Sequence, residues 1–102
     1  MTSIDGTQIK KIVVACDAGM GSSVLLTSQL KKSLKPYEVA VEHSAVNHIP
    51  ADADLVLCQQ QLVTRARSTV PGKVVLGFQM FLGDPVFAKV EKAIKDGGRL
   101  GD

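Results

Sequence analysis

Short apolar runs alternate with longer amphipathic segments along this chain. Residues 11–15, 54–58 and 73–77 are rich in β-branched and other apolar side chains, which is typical of strands buried on both faces of a sheet. Residues 37–42 alternate instead between apolar and polar positions, which favours a strand at the edge of a sheet. The pattern therefore predicts four strands.

The segments between these strands show helical periodicity. Apolar residues recur every three or four positions in three stripes, and the predicted helices end at Pro36, at Pro71 and at Gly97. The connection over residues 44–53 lacks such a stripe and predicts one short turn. The stripes are Leu26, Leu30 and Leu34; Leu62, Val63, Ala66 and Val70; and Val86, Val90, Ala93 and Ile94.

Alternating strands and helices predict an α/β fold of three layers, in which helices flank a four-stranded parallel sheet. The first and third strands are the most apolar and should be central, so the predicted strand order is 2-1-3-4. Residues 10–96 form the predicted domain. Residues 1–9 are polar and residues 97–102 are rich in glycine, so we expect a flexible leader and a flexible tail.

Composition excludes several classes of function. The 102 residues carry a net charge of +2 and only 4% aromatic side chains, which argues against nucleic acid as a partner. No apolar run approaches the roughly 20 residues of a membrane span, and the N-terminus lacks the pattern of a signal peptide. We therefore expect a cytoplasmic location without direct membrane insertion. The two cysteines have no metal-binding spacing, so no metal is expected.

Candidate chemistry follows the first predicted strand, in the segment that leads from Cys16 into the first helix. Gly19 and Gly21 allow backbone N–H groups to converge on an anion, and a helix N-terminus attracts negative charge. The same environment favours the thiolate form of a cysteine, so Cys16 is the candidate nucleophile for a phosphocysteine intermediate. The alternative is that Cys16 is a buried apolar residue.

The loop favours a phosphoryl carrier over a phosphatase. Cysteine phosphatases place an arginine six positions after the nucleophile, where its guanidinium binds the phosphate oxygens. Ser22 stands at that position, and residues 16–23 contain no arginine. Such a loop can accept a phosphoryl group but is poorly equipped to hydrolyse it. A cysteine-dependent phosphatase and a non-catalytic anion-binding regulatory module remain as alternatives.

Residues 16–23 resemble the active-site loop of enzyme IIB components of the bacterial sugar phosphotransferase system (PTS), most closely the mannitol type. The similarity continues through residues 41–50, 54–56 and 62–71. Residues 77–82 also resemble the ascorbate type. Gln59, Gln60 and Gln61 depart from the mannitol type, which carries a His-Arg-Asp-like trio there, so the resemblance indicates the class more firmly than the sugar.

The resemblance implies a fold similar to low-molecular-weight tyrosine phosphatases and a phosphotransferase activity without a cofactor. Cys16 would accept phosphate from the phosphohistidine of enzyme IIA. It would then pass the phosphate to mannitol or a related sugar or polyol bound by membrane enzyme IIC, which would hold the domain at the inner face of the membrane. The implied phosphate-binding residues are Asp17, Ala18, Gly19, Met20, Gly21, Ser22 and Ser23.

A few further residues have competing interpretations. His43 and His48 are interpreted as surface residues of the loop after the second strand. Cys58 is either a buried core thiol or a neighbour of Cys16 within reach of a disulfide, because adjacent strands lie about 4.8 Å apart. Asp84 is favoured as a helix N-cap over a general acid. Met20 is expected to be exposed beside the nucleophile, as a docking surface would require.

Overall fold

A computed structural model describes residues 3–16, 21–79 and 85–101 of the chain. Four parallel strands form the main sheet, and two three-residue strands form a second, antiparallel pair. Short 3₁₀ turns connect several of these elements. The strands are β1 (Ser3–Asp5), β2 (Lys11–Cys16), β3 (Ala40–Ala45), β4 (Leu55–Gln59), β5 (Val74–Phe78) and β6 (Arg99–Gly101), and the helices are α1 (Gly21–Leu34), α2 (Val63–Thr69) and α3 (Pro85–Asp96).

The main sheet has the order β3-β2-β4-β5. The strands β2 and β4, which the sequence marks as the most apolar, are the two inner strands, and β3 lies at one edge. All three pairings are parallel, as strand–helix–strand connections require. The predicted α/β class, with helices flanking a four-stranded parallel sheet, is confirmed.

Two apolar clusters cover the two faces of this sheet. The first cluster joins Ile12 and Val14 of β2 to the buried side chains of α1 and α3. The second cluster joins Val13 and Ala15 to α2. Successive residues of a strand point to opposite faces, so neighbours along β2 belong to different layers. This alternation determines which side chains can meet at the end of the strand.

The predicted helical stripes are buried where the structure has helices. Leu26, Leu30 and Leu34 of α1 are all less than a tenth exposed, and equivalent residues of α2 and α3 lie in the two clusters. Gly97 follows α3 with a φ of +80°, and its amide donates a hydrogen bond of 2.8 Å to the carbonyl of Ala93. This left-handed residue ends the helix, as the sequence predicts.

The chain ends differ from the expected flexible leader and tail. Strands β1 and β6 pair in an antiparallel ladder, with Ile4 opposite Leu100. The amide of Gly6 donates a 2.7 Å hydrogen bond to the carbonyl of Gly98, which continues the connection between the two ends. Leu100 is 7% exposed and belongs to the first apolar cluster. Residues at both ends of the chain therefore complete the fold.

The edge strand begins three residues later than the sequence predicts. Lys35–Tyr37 forms a 3₁₀ turn, and Glu38 follows with a left-handed φ of 58°. The chain therefore becomes extended only afterwards, and β3 runs from Ala40 to Ala45. This shift brings His43 out of the predicted loop and into the ladder, where it lies opposite Val14.

Candidate functional site

Cys16 is the last residue of β2, at the carboxyl end of an inner strand. The neighbours of β2 are β3 on one side and β4 on the other, so the order in which strands are added to the sheet reverses at β2. Ligands of open α/β sheets bind at such a switch point. Cys16 therefore lies at the position in the fold where the sequence predicts the site.

Only part of the predicted loop falls within the described residues. Asp17, Ala18, Gly19 and Met20 lie outside them. Helix α1 begins at Gly21, so Ser22 and Ser23 belong to its first turn. The backbone N–H groups of a first helical turn have no partner within the helix. The described residues thus place the start of a 14-residue helix a few residues after Cys16.

The Cys16 thiol is in direct contact with a histidine. Its Sγ atom lies 2.8 Å from Nε2 of His43. Cys16 pairs with Ala45 in the parallel register, and His43 is two residues earlier on the same strand, opposite Val14. Side chains two residues apart on a strand share a face, so His43 and Cys16 lie on one side of the sheet. The residue Cys16 is 2% exposed, whereas His43 is exposed.

The sequence pattern does not predict this contact, because it places His43 in a loop. The expectation that His43 is exposed is correct, as it is for His48. The signal that could have found the contact is the continued alternation Val41, His43, Ala45. Alternate residues of a strand share a face, so His43 lies on the same face as Val41, which packs in the first cluster.

The second cysteine is on the opposite face of the sheet. Val14 pairs with Leu57, so continuing that register places Cys58 beside Ala15, and both belong to the second apolar cluster. Cys16 alternates with Ala15 and points to the other side. The prediction that Cys58 lies within disulfide reach of Cys16 is wrong, because a disulfide needs Cβ vectors that face each other.

Cys58 is instead a buried core thiol. Its exposed fraction is 0%. Burial raises the pKa of Cys58 to about 11, against the opposing effect of the Arg67 charge. An apolar environment disfavours a charged thiolate, so the two cysteines occupy chemically different positions although their strands are neighbours.

Glutamine side chains line the carboxyl ends of the next two strands. Gln59, Gln60 and Gln61 surround a cavity of about 330 Å³ together with Phe78 and Gln79. The side-chain Nε2 of Gln61 donates a 3.3 Å hydrogen bond to Oε1 of Gln59. This part of the edge offers neutral donors and acceptors.

The first turns of α1, which follow Cys16 closely in the sequence, expose two apolar side chains. Val24 is 53% exposed and Leu25 is 55% exposed. Apolar side chains exposed side by side are typical of a contact surface. Two related predictions, an exposed Met20 and an N-cap at Asp84, concern residues outside the described ranges. Pro85 is the first residue of α3, as predicted for a proline at the first helical position.

Within residues 3–16, 21–79 and 85–101, none of the helices is long and apolar enough to cross a membrane. The same residues contain no group of three or more side chains suited to hold a metal ion.

Comparison with known proteins places this chain in a family. The family model described as the lactose/cellobiose specific IIB subunit of the PTS matches residues 11–96. The chain is 35% identical over 89 residues to the mannitol-specific EIICB component of the PTS from Bacillus subtilis, covering 85% of this chain and 19% of that protein. It is 33% identical over 93 residues to the mannitol-specific EIICBA component from Escherichia coli, covering 88% of this chain and 15% of that protein.

A shorter match is stronger in identity. The mannitol-specific EIICBA component from Pasteurella multocida is 42% identical over 76 residues, covering 72% of this chain and 12% of that protein. A solved lactose-specific IIB domain from Streptococcus pneumoniae superposes with a TM-score of 0.47 at 19% identity, covering 87% of this chain and 94% of that one. The chain spans less than a fifth of the length of these curated relatives. The match over residues 11–96 shows that the chain belongs to the IIB family of the PTS.

Proposed function

We propose that this chain is a IIB phosphocarrier, a phosphotransferase that accepts a phosphoryl group on Cys16 and passes it to a sugar. The donor is the phosphohistidine of an enzyme IIA, and the acceptor is a sugar bound by a membrane enzyme IIC. The observation that carries the proposal is the position of Cys16 at the carboxyl end of an inner strand, a few residues before α1. The domain would work in the cytoplasm, at the inner face of the membrane.

The first transfer is a displacement at phosphorus. The Cys16 thiolate attacks in line, so that an S–P bond forms as the P–N bond of the donor breaks. The bonding pair passes to the donor's ring nitrogen, which leaves as neutral imidazole once that ring holds a proton. Residues 17–23 are proposed to bind the equatorial oxygens through backbone N–H groups, helped by the positive end of α1.

The second transfer reverses the role of sulfur. A sugar hydroxyl attacks phosphorus and gives its proton to water, an O–P bond forms, and the S–P bond breaks with its electron pair returning to Cys16. A good carrier must therefore stabilise its thiolate both as nucleophile and as leaving group. No step requires a metal or an organic cofactor.

Both exchanges require a partner protein to approach Cys16. The exposed Val24 and Leu25 on the first turns of α1 offer apolar area for such contacts. A carrier that alternates between two partners needs small and transient interfaces. An exposed apolar patch of two residues is consistent with that requirement.

The proposed sugar is mannitol or a related polyol. The support is that the relatives from Bacillus subtilis, Escherichia coli and Pasteurella multocida are each named as mannitol-specific. The glutamines at 59–61 are neutral, whereas the mannitol type carries a partly charged trio there. The sugar is thus a separate question from the phosphoryl chemistry.

The test is to incubate the chain with the phosphorylated IIA protein of its own system and to locate the label. We expect phosphate on Cys16, found by peptide mass spectrometry, and no label in Cys16→Ser. Cys58→Ala is the matched control and should still be labelled. Continuous release of inorganic phosphate would instead indicate a phosphatase. Absence of label on Cys16 with this donor would refute the carrier and leave an anion-binding module.

A further inference from the structure

We propose that His43 is a positioning residue for Cys16: it takes the thiol proton and holds the sulfur as the thiolate of an imidazolium–thiolate pair. The inference rests on the proposed function and extends it, because it names the group that prepares the nucleophile. The observation that supports this proposal is the 2.8 Å contact between Cys16 Sγ and His43 Nε2.

The fold holds this contact through the sheet. β2 and β3 pair over six consecutive residues, from Lys11 opposite Ala40 to Cys16 opposite Ala45. His43 therefore cannot slide along Cys16 without disrupting the ladder. Its ring needs only to lean forward along its own strand to reach the sulfur, and both side chains start from the same face.

Burial explains why the thiol needs such a partner. Cys16 is 2% exposed, and a buried thiolate without a counter-charge is unfavourable. His43 is exposed, so its ring can exchange a proton with solvent while Nε2 stays on the sulfur. An imidazolium beside a cysteine is a well-established way of generating a thiolate near neutral pH.

The charged groups on the elements around His43 are not candidates for accepting the proton of the Cys16 thiol. Lys11 binds Glu42 at 2.6 Å and Asp52 at 2.9 Å, and Glu42 pairs with Val13, which faces the second cluster. Helix α1 packs on β3 and has no ionisable side chain before Lys31 and Lys32.

Two more ionisable groups are near in sequence. His48 lies in the 3₁₀ turn after β3 and is exposed. Asp17 follows Cys16 directly and lies outside the described residues. Among the described residues, His43 is the ionisable group in contact with the Cys16 sulfur, and a carboxylate in that role would oppose thiolate formation.

The pair accounts for both halves of the proposed cycle. The proton passes from Cys16 Sγ to His43 Nε2, and the thiolate then forms the S–P bond as the P–N bond of the donor breaks. When the sugar hydroxyl attacks, the S–P bond breaks and the electron pair returns to a sulfur that faces the imidazolium. His43 thus stabilises the leaving thiolate as well as the attacking one.

The test measures the reactivity of Cys16 toward iodoacetamide from pH 5 to pH 9, with the product located by peptide mass spectrometry. We expect His43→Asn to slow alkylation of Cys16 at pH 7 about tenfold and to move the profile about one pH unit upward. His43→Gln, whose longer side-chain amide can donate a hydrogen bond at greater reach but carries no charge, should behave like His43→Asn. His48→Asn is the control and should leave the profile unchanged.

An unchanged profile in His43→Asn would overturn the proposal, and so would full restoration by His43→Gln, because a neutral hydrogen bond would then suffice. A second measurement uses the protein with both Cys16 and His43 unchanged, so its result does not depend on whether the His43 variants fold. The thiolate absorbance near 240 nm that Cys16→Ser removes should already be present at pH 7, and its absence below pH 8 would equally refute the pair. Since no phosphoryl donor is used, failure of the carrier function would leave these results standing.

Discussion

Cys58 should be almost inert in the folded protein, and the size of the effect follows from its environment. Its side chain is fully buried, and burial raises its pKa from an ordinary 9.0 to about 11. Only the thiolate is a nucleophile. At pH 8 about 10% of an ordinary thiol with the first value is ionised, against about 0.1% with the second, so ionisation alone slows alkylation about a hundredfold.

The assay compares native and unfolded protein within one chain. Iodoacetamide is added at pH 8 in buffer and in concentrated urea, and the modified fraction of the Cys58 peptide is followed by mass spectrometry. We expect labelling in buffer to be at least about a hundredfold slower. A native rate within tenfold of the urea rate would show that Cys58 is neither buried nor destabilised as a thiolate, and the assignment of opposite faces would fail with it.

Two further predictions concern the joined chain ends and the surface beside the site. Gly6→Ala places a Cβ in overlap with a backbone carbonyl of α3 and should lower the free energy of unfolding by about 1–3 kcal/mol in urea titrations. The control Gly98→Ala, whose Cβ has its nearest atom at 3.5 Å, should change the free energy of unfolding little. Equal effects of the two substitutions would refute the close approach at Gly6. Leu25→Asp should slow phosphoryl transfer from enzyme IIA about fivefold or more without altering thermal stability, while Ser33→Asp at the far end of α1 should not; an unchanged rate in Leu25→Asp would exclude this surface from docking.

The main sheet could be predicted because its strands and helices have strong local patterns. Three apolar runs and three helical stripes fall where the structure has β2, β4, β5 and the three helices. These elements bury one or two faces, so burial imposes a period that the sequence displays. The short connection after β3 was also predictable, since it contains only the 3₁₀ turn Val46–His48.

The joined ends could not be predicted from such patterns. The strands β1 and β6 are three residues long and alternate over too few positions to give a signal. Their pairing depends on the path of the whole chain, which brings residue 3 opposite residue 101. The polar leader and the glycine-rich tail therefore predict flexibility, although their backbones form hydrogen bonds with each other.

The alternation Val41, His43, Ala45 indicates which face His43 uses, but the contacts of the two cysteines also depend on strand register. A shift of one residue in a strand exchanges its two faces. Val14 opposite Leu57 places Cys58 beside Ala15 and away from Cys16, while Val14 opposite His43 brings His43 to the thiol. Neither pairing is visible in the sequence of a single strand.

The neutral edge beside the site gives the histidine its importance. The carboxyl ends of β4 and β5 carry Gln59 and Gln79 beside a cavity whose described lining residues are uncharged, and residues 16–23 contain no arginine or lysine. A cysteine phosphatase places a fixed guanidinium on the phosphate, and this group is charged at every pH. In the proposed pair, the histidine that contacts the sulfur would instead supply charge to the thiolate itself. The proposed carrier would thus stabilise sulfur more than bound phosphate, which favours passing the phosphoryl group on over retaining it.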